Sequence, residues 1–219
     1  TRAPSLAFVN ASVAATVAGG AILFPMSNVG LTTIHIVFNL RVSRNAADAA
    51  VLVVPGFLVY TDRVGNPLPL VALPAPKATV TAPVLSLATT PGSPTVEAGM
   101  TYLTHVVAAN TGTGVAKDVW LNVTLPTALL YVSDNSDAER TVIGSRFTWH
   151  WANLPSKPNA FDLALQVRPA TADGTNATFT MDLQYTDANG NRRGDLSSVL
   201  RDSFVSPTIQ LSISVSQDR

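Results

Sequence analysis

The chain has 219 residues, 47% of them hydrophobic, and its 14 basic residues are balanced by 14 acidic ones. Zero net charge argues against the basic surface with which proteins bind nucleic acid or anionic membranes, and the lack of cysteine excludes disulfides, thiolate catalysis and cysteine-ligated metal. Charged residues make up 13%, about half the globular average, so small polar side chains must cover the surface, as in extracellular β proteins.

Apolar residues alternate with polar ones along most of the chain. The alternation is clearest over 36–42 and 54–60, and it returns over 161–167 and 179–185. A period of two is typical of half-buried strands, and the strands are bounded by Gly, Pro, Asn and Asp. No segment predicts a helix, and a loop is favoured over 46–51. The predicted fold class is therefore all-β.

A ten-residue motif occurs twice, as FLVYTDRVGN at Phe57–Asn66 and as DLQYTDANGN at Asp182–Asn191, 125 positions later. At this offset Phe24–Asn66 lies over Trp149–Asn191 without a gap, and eleven of the 43 pairs are identical. A long constant period indicates an array of similar modules. Both copies of the motif end in turn residues that favour a tight hairpin.

The ends of the chain extend the repeat. Thr1–Val9 matches Thr124–Val132 at an offset of 123, which places a two-residue difference in the loop before Phe24. Pro83–Leu87 is similar to Pro207–Leu211, and each follows its own hairpin. These matches indicate where one module ends and the next begins.

The predicted domains follow from these module boundaries. Residues 84–207 form one complete module, residues 1–83 are the later part of a module that lacks its first strands, and residues 208–219 are the first strand of a further module or a donated strand. An incomplete sandwich exposes apolar faces and unpaired strand edges. Three interpretations remain: a fragment of a longer tandem array, a filament subunit completed by a neighbour's strand, or a first region that closes by itself with another topology.

The segment 97–155 carries an ordered pattern made of Glu97–Tyr102, Asn110–Gly112, Leu125-Pro126, Tyr131–Ser133, Phe147–Trp149 and Leu154. This pattern resembles the tandem "conserved repeat" domain of unknown function in bacterial and archaeal surface proteins. It is also similar to immunoglobulin-like modules of algal and other eukaryotic surface glycoproteins. The resemblance implies immunoglobulin-like β-sandwich modules in tandem that space, adhere or assemble outside the cell. The chain departs from the pattern at Val123, where Asp is frequent, and at Ala152, where Gly is frequent.

Catalytic chemistry has little support in the sequence. The three histidines, His35, His105 and His150, show no metal-ligand spacing and lie near no nucleophile motif. Phe147, Trp149 and Trp151 share one strand face, where core packing is favoured over a platform for sugars. We therefore expect neither an enzyme nor a cofactor.

Asp187, Asn189 and Asn191 alternate like the opening of a calcium loop, but the distal bidentate Glu is missing, so a hairpin turn is the favoured interpretation. Three sequons for N-glycosylation begin at Asn10, Asn122 and Asn176. They suit a glycoprotein that is exported from the cell.

The predicted function is that of an extracellular or cell-surface structural glycoprotein or filament subunit, acting as a spacer, coat or assembly element. Its partners would be neighbouring copies of the chain or adjacent repeats, with glycans in addition, and neither nucleic acid nor direct membrane insertion is expected. The alternative is an adhesin or carbohydrate-binding module that uses loop aromatics such as Tyr131. An accessory domain of an enzyme is a third hypothesis.

Overall fold

A computed structural model describes residues 6–27, 29, 30, 33–91 and 95–206. The chain divides into two compact units, Thr1–Ala82 and Pro83–Arg219. The described residues form strands, turns and loops without a helix, so the all-β prediction is confirmed. The strand predicted over 208–219 lies outside the described residues.

Short strands make up the first unit, and longer strands make up the second. The strands of the first unit are β1 (Leu6–Ala11), β2 (Thr16–Ala18), β3 (Ala21–Leu23), β4 (Phe38–Val42), β5 (Val51–Val53), β6 (Gly56–Leu58), β7 (Val71–Leu73) and β8 (Lys77–Thr79). Those of the second are β9 (Leu85–Pro91), β10 (Thr95–Glu97), β11 (Thr101–Asn110), β12 (Ala116–Thr124), β13 (Leu129–Asp134), β14 (Glu139–Ile143), β15 (Arg146–Leu154), β16 (Pro158–Val167), β17 (Asn176–Thr186) and β18 (Leu196–Val205).

The second unit is an immunoglobulin-like β-sandwich of two sheets. One sheet has the strand order β10-β18-β17-β12-β15-β14, and the other has the order β13-β16-β11-β9. Neighbouring strands are antiparallel except for β10, which runs parallel to β18. Alternate residues of each long strand point into the space between the sheets, as the period of two predicts.

Aromatic side chains fill the centre of this sandwich. Phe147, Trp149 and Trp151 are all buried, as their shared strand face predicts. The rings of Trp149 and Trp151 lie 5.8 and 6.1 Å from that of Phe161 on the opposite sheet. Tilted contacts at such distances add to the stabilisation that area burial provides.

The described part of the first unit forms four two-stranded sheets, which pair β1 with β4, β2 with β3, β5 with β8 and β6 with β7. Its buried cluster is small. A two-stranded ribbon is marginally stable in water by itself, so this unit has little to hold it together. The buried hydrophobic residues are Leu6, Ala46, Leu52, Val80 and Ala82.

Backbone pairing in the first unit recurs in the second. Strands β1 and β4 pair in the register of β13 and β16, and both pairs contain an irregularity at the same place. It lies between Phe8 and Asn10 in one unit and between Tyr131 and Ser133 in the other. Because a bulge fixes register locally, this shared irregularity is a more specific likeness than shared strands.

The hairpin strands show the same correspondence at the offset of 125 residues. Strands β6 and β7 pair in the register of β17 and β18, and an isolated bridge beyond each pair recurs at the same offset. The preceding loops also match, since Ala49 and Gly174 both have a positive φ. The corresponding pairs are Leu58 with Val71 and Leu183 with Leu196 in the strands, and Thr61 with Pro67 and Thr186 with Arg192 at the bridges.

Candidate functional site

The three residues of the calcium candidate lie together in the hairpin after β17. Oδ1 of the buried Asp187 accepts hydrogen bonds from the backbone N–H groups of Asn189 and Asn191, at 2.9 and 3.0 Å. The Asn191 side chain also donates to this carboxylate, and a guanidinium nitrogen of Arg193 lies 3.2 Å away. Burial alone would raise the pKa of Asp187, but the bonds from Asn191 and Asn189 lower it overall. N–H groups therefore surround this carboxylate, as in an Asx turn.

The equivalent hairpin of the first unit has the same geometry. Oδ1 of Asp62 accepts hydrogen bonds from the backbone of Val64 and Asn66 at 2.9 and 2.8 Å, and the Asn66 side chain donates to Oδ2. The Asn66 side-chain bond is the main reason why the pKa of Asp62 is lowered. Across the described parts of both units, no three His, Asp or Glu side chains converge as a metal site would require.

The sequon asparagines all lie on strands. Asn10 and Asn176 are exposed on β1 and β17, while Asn122 is half-buried on β12. The Asn122 carbonyl oxygen accepts hydrogen bonds from Arg146 and Thr148.

The histidines do not come together. His35 is exposed in the first unit, whereas His105 and His150 lie on different sheets of the second. Nδ1 of His105 is 2.8 Å from the Asp162 carboxylate, and the ring of His150 stacks on Trp120.

A buried polar pair links the two sheets of the sandwich. The Tyr102 hydroxyl, on β11, donates a 2.6 Å hydrogen bond to Asp202 on β18. Asp202 is 1% exposed, and within the described parts of the chain its second oxygen has no hydrogen-bond partner. Burial raises the pKa of both groups. Sequence reasoning missed this pair because the two residues are 100 positions apart.

Tyr131 is not an exposed loop aromatic, which corrects the expectation that it could bind sugars at a loop. It lies on β13, and its ring packs 4.8 Å from that of Phe147. Its hydroxyl donates to Asp134, and Arg140 contacts both groups. Burial, reinforced by Asp134, raises the pKa of Tyr131 to about 12. Burial would also raise the pKa of Asp134, but the bonds from Tyr131, Arg140 and Ser136 lower it to about 2.

The first unit leaves apolar side chains uncovered on its hairpin strands. Leu58 is 41% exposed and Tyr60 is 40% exposed, whereas their counterparts Leu183 and Tyr185 are 0% and 8% exposed. In the second unit these positions belong to a core to which β9, β11 and β12 contribute. The described part of the first unit contains no counterpart of those strands. We call Leu58 and Tyr60 the uncovered face.

No protein-family model matches the sequence, and none of the curated proteins compared with it is significantly similar. Among solved structures, the chain is similar to a variant of the major pilin subunit of Bacillus cereus, with a TM-score of 0.49 and 11% identity over 80% of this chain and 52% of the pilin. It therefore spans about half the length of that pilin.

The chain is also similar to the cohesin module of a Clostridium perfringens family 33 glycoside hydrolase, with a TM-score of 0.44 and 8% identity over 58% of this chain and 100% of the module. A non-cellulosomal cohesin from Archaeoglobus fulgidus has a TM-score of 0.39 and 15% identity, over 56% of this chain and 91% of the cohesin. At such identities the likeness concerns the fold alone. No helix among the described residues has the length and apolar character needed to cross a membrane.

Proposed function

We propose that this chain is a segment of an extracellular structural or assembly protein built from immunoglobulin-like modules. Residues 84–207 form a complete module, and residues 1–83 form the later part of a module that is completed by strands from an adjacent repeat or a neighbouring chain. Residues 208–219 would supply either the first strand of a further module or a strand donated to a neighbouring chain. The function is mechanical, because such modules act as spacers, coats or filament subunits and contact mainly their neighbours.

One observation carries this proposal: the first unit repeats the backbone register of the second but has no counterpart of β9–β12 in its described part. In the second unit those strands supply much of the core, and their loss would expose the partners that they cover. The side chains of the uncovered face are exposed at these positions. A segment with the apolar pattern of residues 85–123 would cover them.

The composition supports a location outside the cell. Few charges, many small polar residues and three sequons are typical of secreted glycoproteins. Occupied sequons at Asn10, Asn122 and Asn176 would add bulky hydrophilic groups to the strands that carry them. Glycans are therefore proposed as covalent additions to the chain.

The test is to supply the missing strands. A second copy of residues 84–123 is fused ahead of residue 1 through a flexible linker, and hydrogen exchange is followed at residues 51–79 of the first unit. We expect exchange there to slow by at least tenfold, because the added strands would bury the uncovered face and pair the open edges.

The matched control carries the same fusion with Asp at the copied positions of Val119, Leu121 and Val123, which face the core in the second unit. This fusion should leave exchange at residues 51–79 unchanged. If the apolar fusion also gives no protection, the first unit is not an incomplete module and the proposal fails. Protection without any fusion would support a first region that closes by itself.

A further inference from the structure

The outer face of the six-stranded sheet carries a groove whose lining side chains are not part of the hydrophobic core. It is a shallow, open groove with a volume of about 440 Å³, and it runs across β14, β15, β12 and β17, which are neighbours in the sheet. We call it the Trp120 groove. Its lining residues are Trp120, Asn122, Thr141, Arg146, Thr148 and Gln184.

Trp120 supplies a flat apolar surface in the middle of this face. Its side chain is 41% exposed, and one side of the indole stacks on His150, with 3.9 Å between the ring centroids and 19° between the planes. The register places His150 and Gln184 directly beside it on the two neighbouring strands. Stacking holds the indole in place before any ligand arrives, so binding would cost little ordering of this side chain.

Hydrogen-bonding groups lie next to the indole. Asn122 follows Trp120 on the same strand face, and its carbonyl oxygen accepts hydrogen bonds from Thr148 at 3.0 Å and from Arg146 at 3.1 Å. Thr141 lies opposite Thr148 on the adjacent strand. The groove therefore combines one aromatic face with a row of amide, hydroxyl and guanidinium groups that could orient a polar ligand stacked on the indole.

The first unit has no such combination at the matching positions. At the offset of 125 residues, Thr148 corresponds to Leu23, Gln184 corresponds to Val59, and the neighbouring Asp182 corresponds to Phe57. Apolar side chains occupy these positions even though the backbone register is shared. The polar groove is therefore a property of the second unit and is not imposed by the module's backbone.

We propose that the Trp120 groove binds a free saccharide. The C–H face of a pyranose ring would stack on the indole, whose π face is electron-rich, and the ring hydroxyls would bond Asn122, Thr148, Arg146 and Gln184. The lining strands β15, β12 and β17 are paired on both sides, so an extended peptide could add only at the outer edge of β14, two strands away from Trp120. Nucleic acid would require several cations, and Arg146 is the one cation in the lining.

The same chemistry has a second source, because Asn122 begins a sequon and could carry a glycan whose first sugar lies over Trp120. The choice of expression host distinguishes binding of a free saccharide from attachment of a glycan to Asn122. The full chain is made in bacterial cytoplasm, where this modification does not occur, and it is applied to an array of immobilised oligosaccharides. For any oligosaccharide that the array retains, the affinity is then measured by titrating the soluble oligosaccharide into the full chain.

We expect binding to at least one oligosaccharide, a loss of tenfold or more in Trp120→Ala, and a smaller loss in Trp120→Phe, which keeps a ring. Gln184→Ala should also weaken binding. Because this variant keeps Trp120, it tests the groove even if Trp120→Ala does not fold. The matched control is Phe57→Ala, which removes an exposed aromatic from the first unit and should leave binding unchanged.

Two results would overturn the proposal. One is an array without binding, whether or not protein from a glycosylating host carries a glycan at Asn122. The other is binding that Phe57→Ala weakens as much as Trp120→Ala does, because such binding would not depend on the groove. Neither result bears on completion of the first unit, which is followed by hydrogen exchange elsewhere in the chain.

Discussion

Asp134 and Asp202 are both buried carboxyls of the second unit, but their pKa values move in opposite directions. Asp134 receives bonds from Tyr131, Arg140 and Ser136, which favour its ionised form despite burial. Asp202 receives one hydrogen bond, from Tyr102. This bond lowers the pKa of Asp202 by less than burial raises it. Since a pKa difference between folded and unfolded states changes stability with pH, the two carboxyls should be distinguishable in solution.

The stabilisation from Asp134 should disappear in acid. Its folded-state pKa of about 2 lies below the ordinary value of 3.8, so the contribution is present above about pH 4 and is lost as the pH falls toward 2. A shift of this size corresponds to about 2 kcal/mol of unfolding free energy. Asp134→Asn should therefore lower stability by about 2 kcal/mol at pH 7 and flatten its dependence between pH 4 and pH 2, as measured by urea unfolding.

The control for Asp134 is Glu97→Gln, which changes the net charge equally at an exposed position. It should leave both the stability at pH 7 and the acid dependence nearly as in the original chain. An unaltered acid dependence in Asp134→Asn would contradict the role given to this carboxyl.

Asp202 should show the reverse behaviour. Its raised folded-state pKa means that ionisation costs stability at neutral pH, and that this cost is relieved as the pH falls through the folded-state pKa toward 3.8. Asp202→Asn keeps an oxygen for the Tyr102 hydroxyl and removes the charge. Measured from just below pH 4 to pH 7, the difference in Tm between this variant and the original chain should move in the variant's favour as the pH rises above 3.8, and it should then level off. A difference that is constant with pH would contradict the assignment.

At the scale of elements, local sequence was sufficient to predict the hairpin turns and the long strands of the second unit, but the half-buried strand predicted over 54–60 is reduced to Gly56–Leu58 and is largely exposed. The YTD…GN motif places Asp187 and Asn191 where the carboxylate can accept backbone N–H bonds, and the same spacing gives the same turn at Asp62 and Asn66. Turn chemistry acts within a few residues, so it can be read without knowing the fold. Alternation likewise identified the buried stripe centred on Trp149.

The hairpin carboxylate should contribute to folding without metal. Asp187→Ala removes an acceptor for several N–H bonds and leaves Arg193 without its carboxylate, so we expect a loss of about 1–3 kcal/mol in unfolding free energy. Asp187→Asn, which keeps one acceptor oxygen, should lose less. Millimolar Ca²⁺ should leave the Tm of the original chain unchanged, and a rise in Tm that Asp187→Ala abolishes would instead identify a calcium site.

At the scale of the whole molecule, contacts between distant residues could not be predicted from the sequence. The Tyr102–Asp202 bond crosses between the sheets, and the stack of Trp120 on His150 depends on the register of β12 against β15. Alternation tells which side chains share a face of a strand, but it does not tell which strands are neighbours. The Trp120 groove was therefore missed, although each of its residues is visible in the sequence.

Calorimetry should separate the contributions of the two units. The second has an extensive core, whereas the first buries few apolar side chains among short two-stranded sheets. Unfolding enthalpy near 60 °C is roughly 0.7 kcal/mol per residue, which gives about 85 kcal/mol for the described residues of the second unit and about 150 kcal/mol for all 219. We expect one cooperative transition with an enthalpy near the smaller value, because the isolated first unit should unfold with little cooperativity.

The fusion that adds a second copy of residues 84–123 should raise this enthalpy well above 85 kcal/mol, since it would complete a second cooperative core. The fusion with three Asp substitutions should remain near the smaller value. If the unmodified chain already unfolds with an enthalpy near 150 kcal/mol at concentrations where it is monomeric, the first unit is a complete cooperative fold. In that case it needs no strand from a neighbour, and the role of the chain as an assembly element would lose its structural basis.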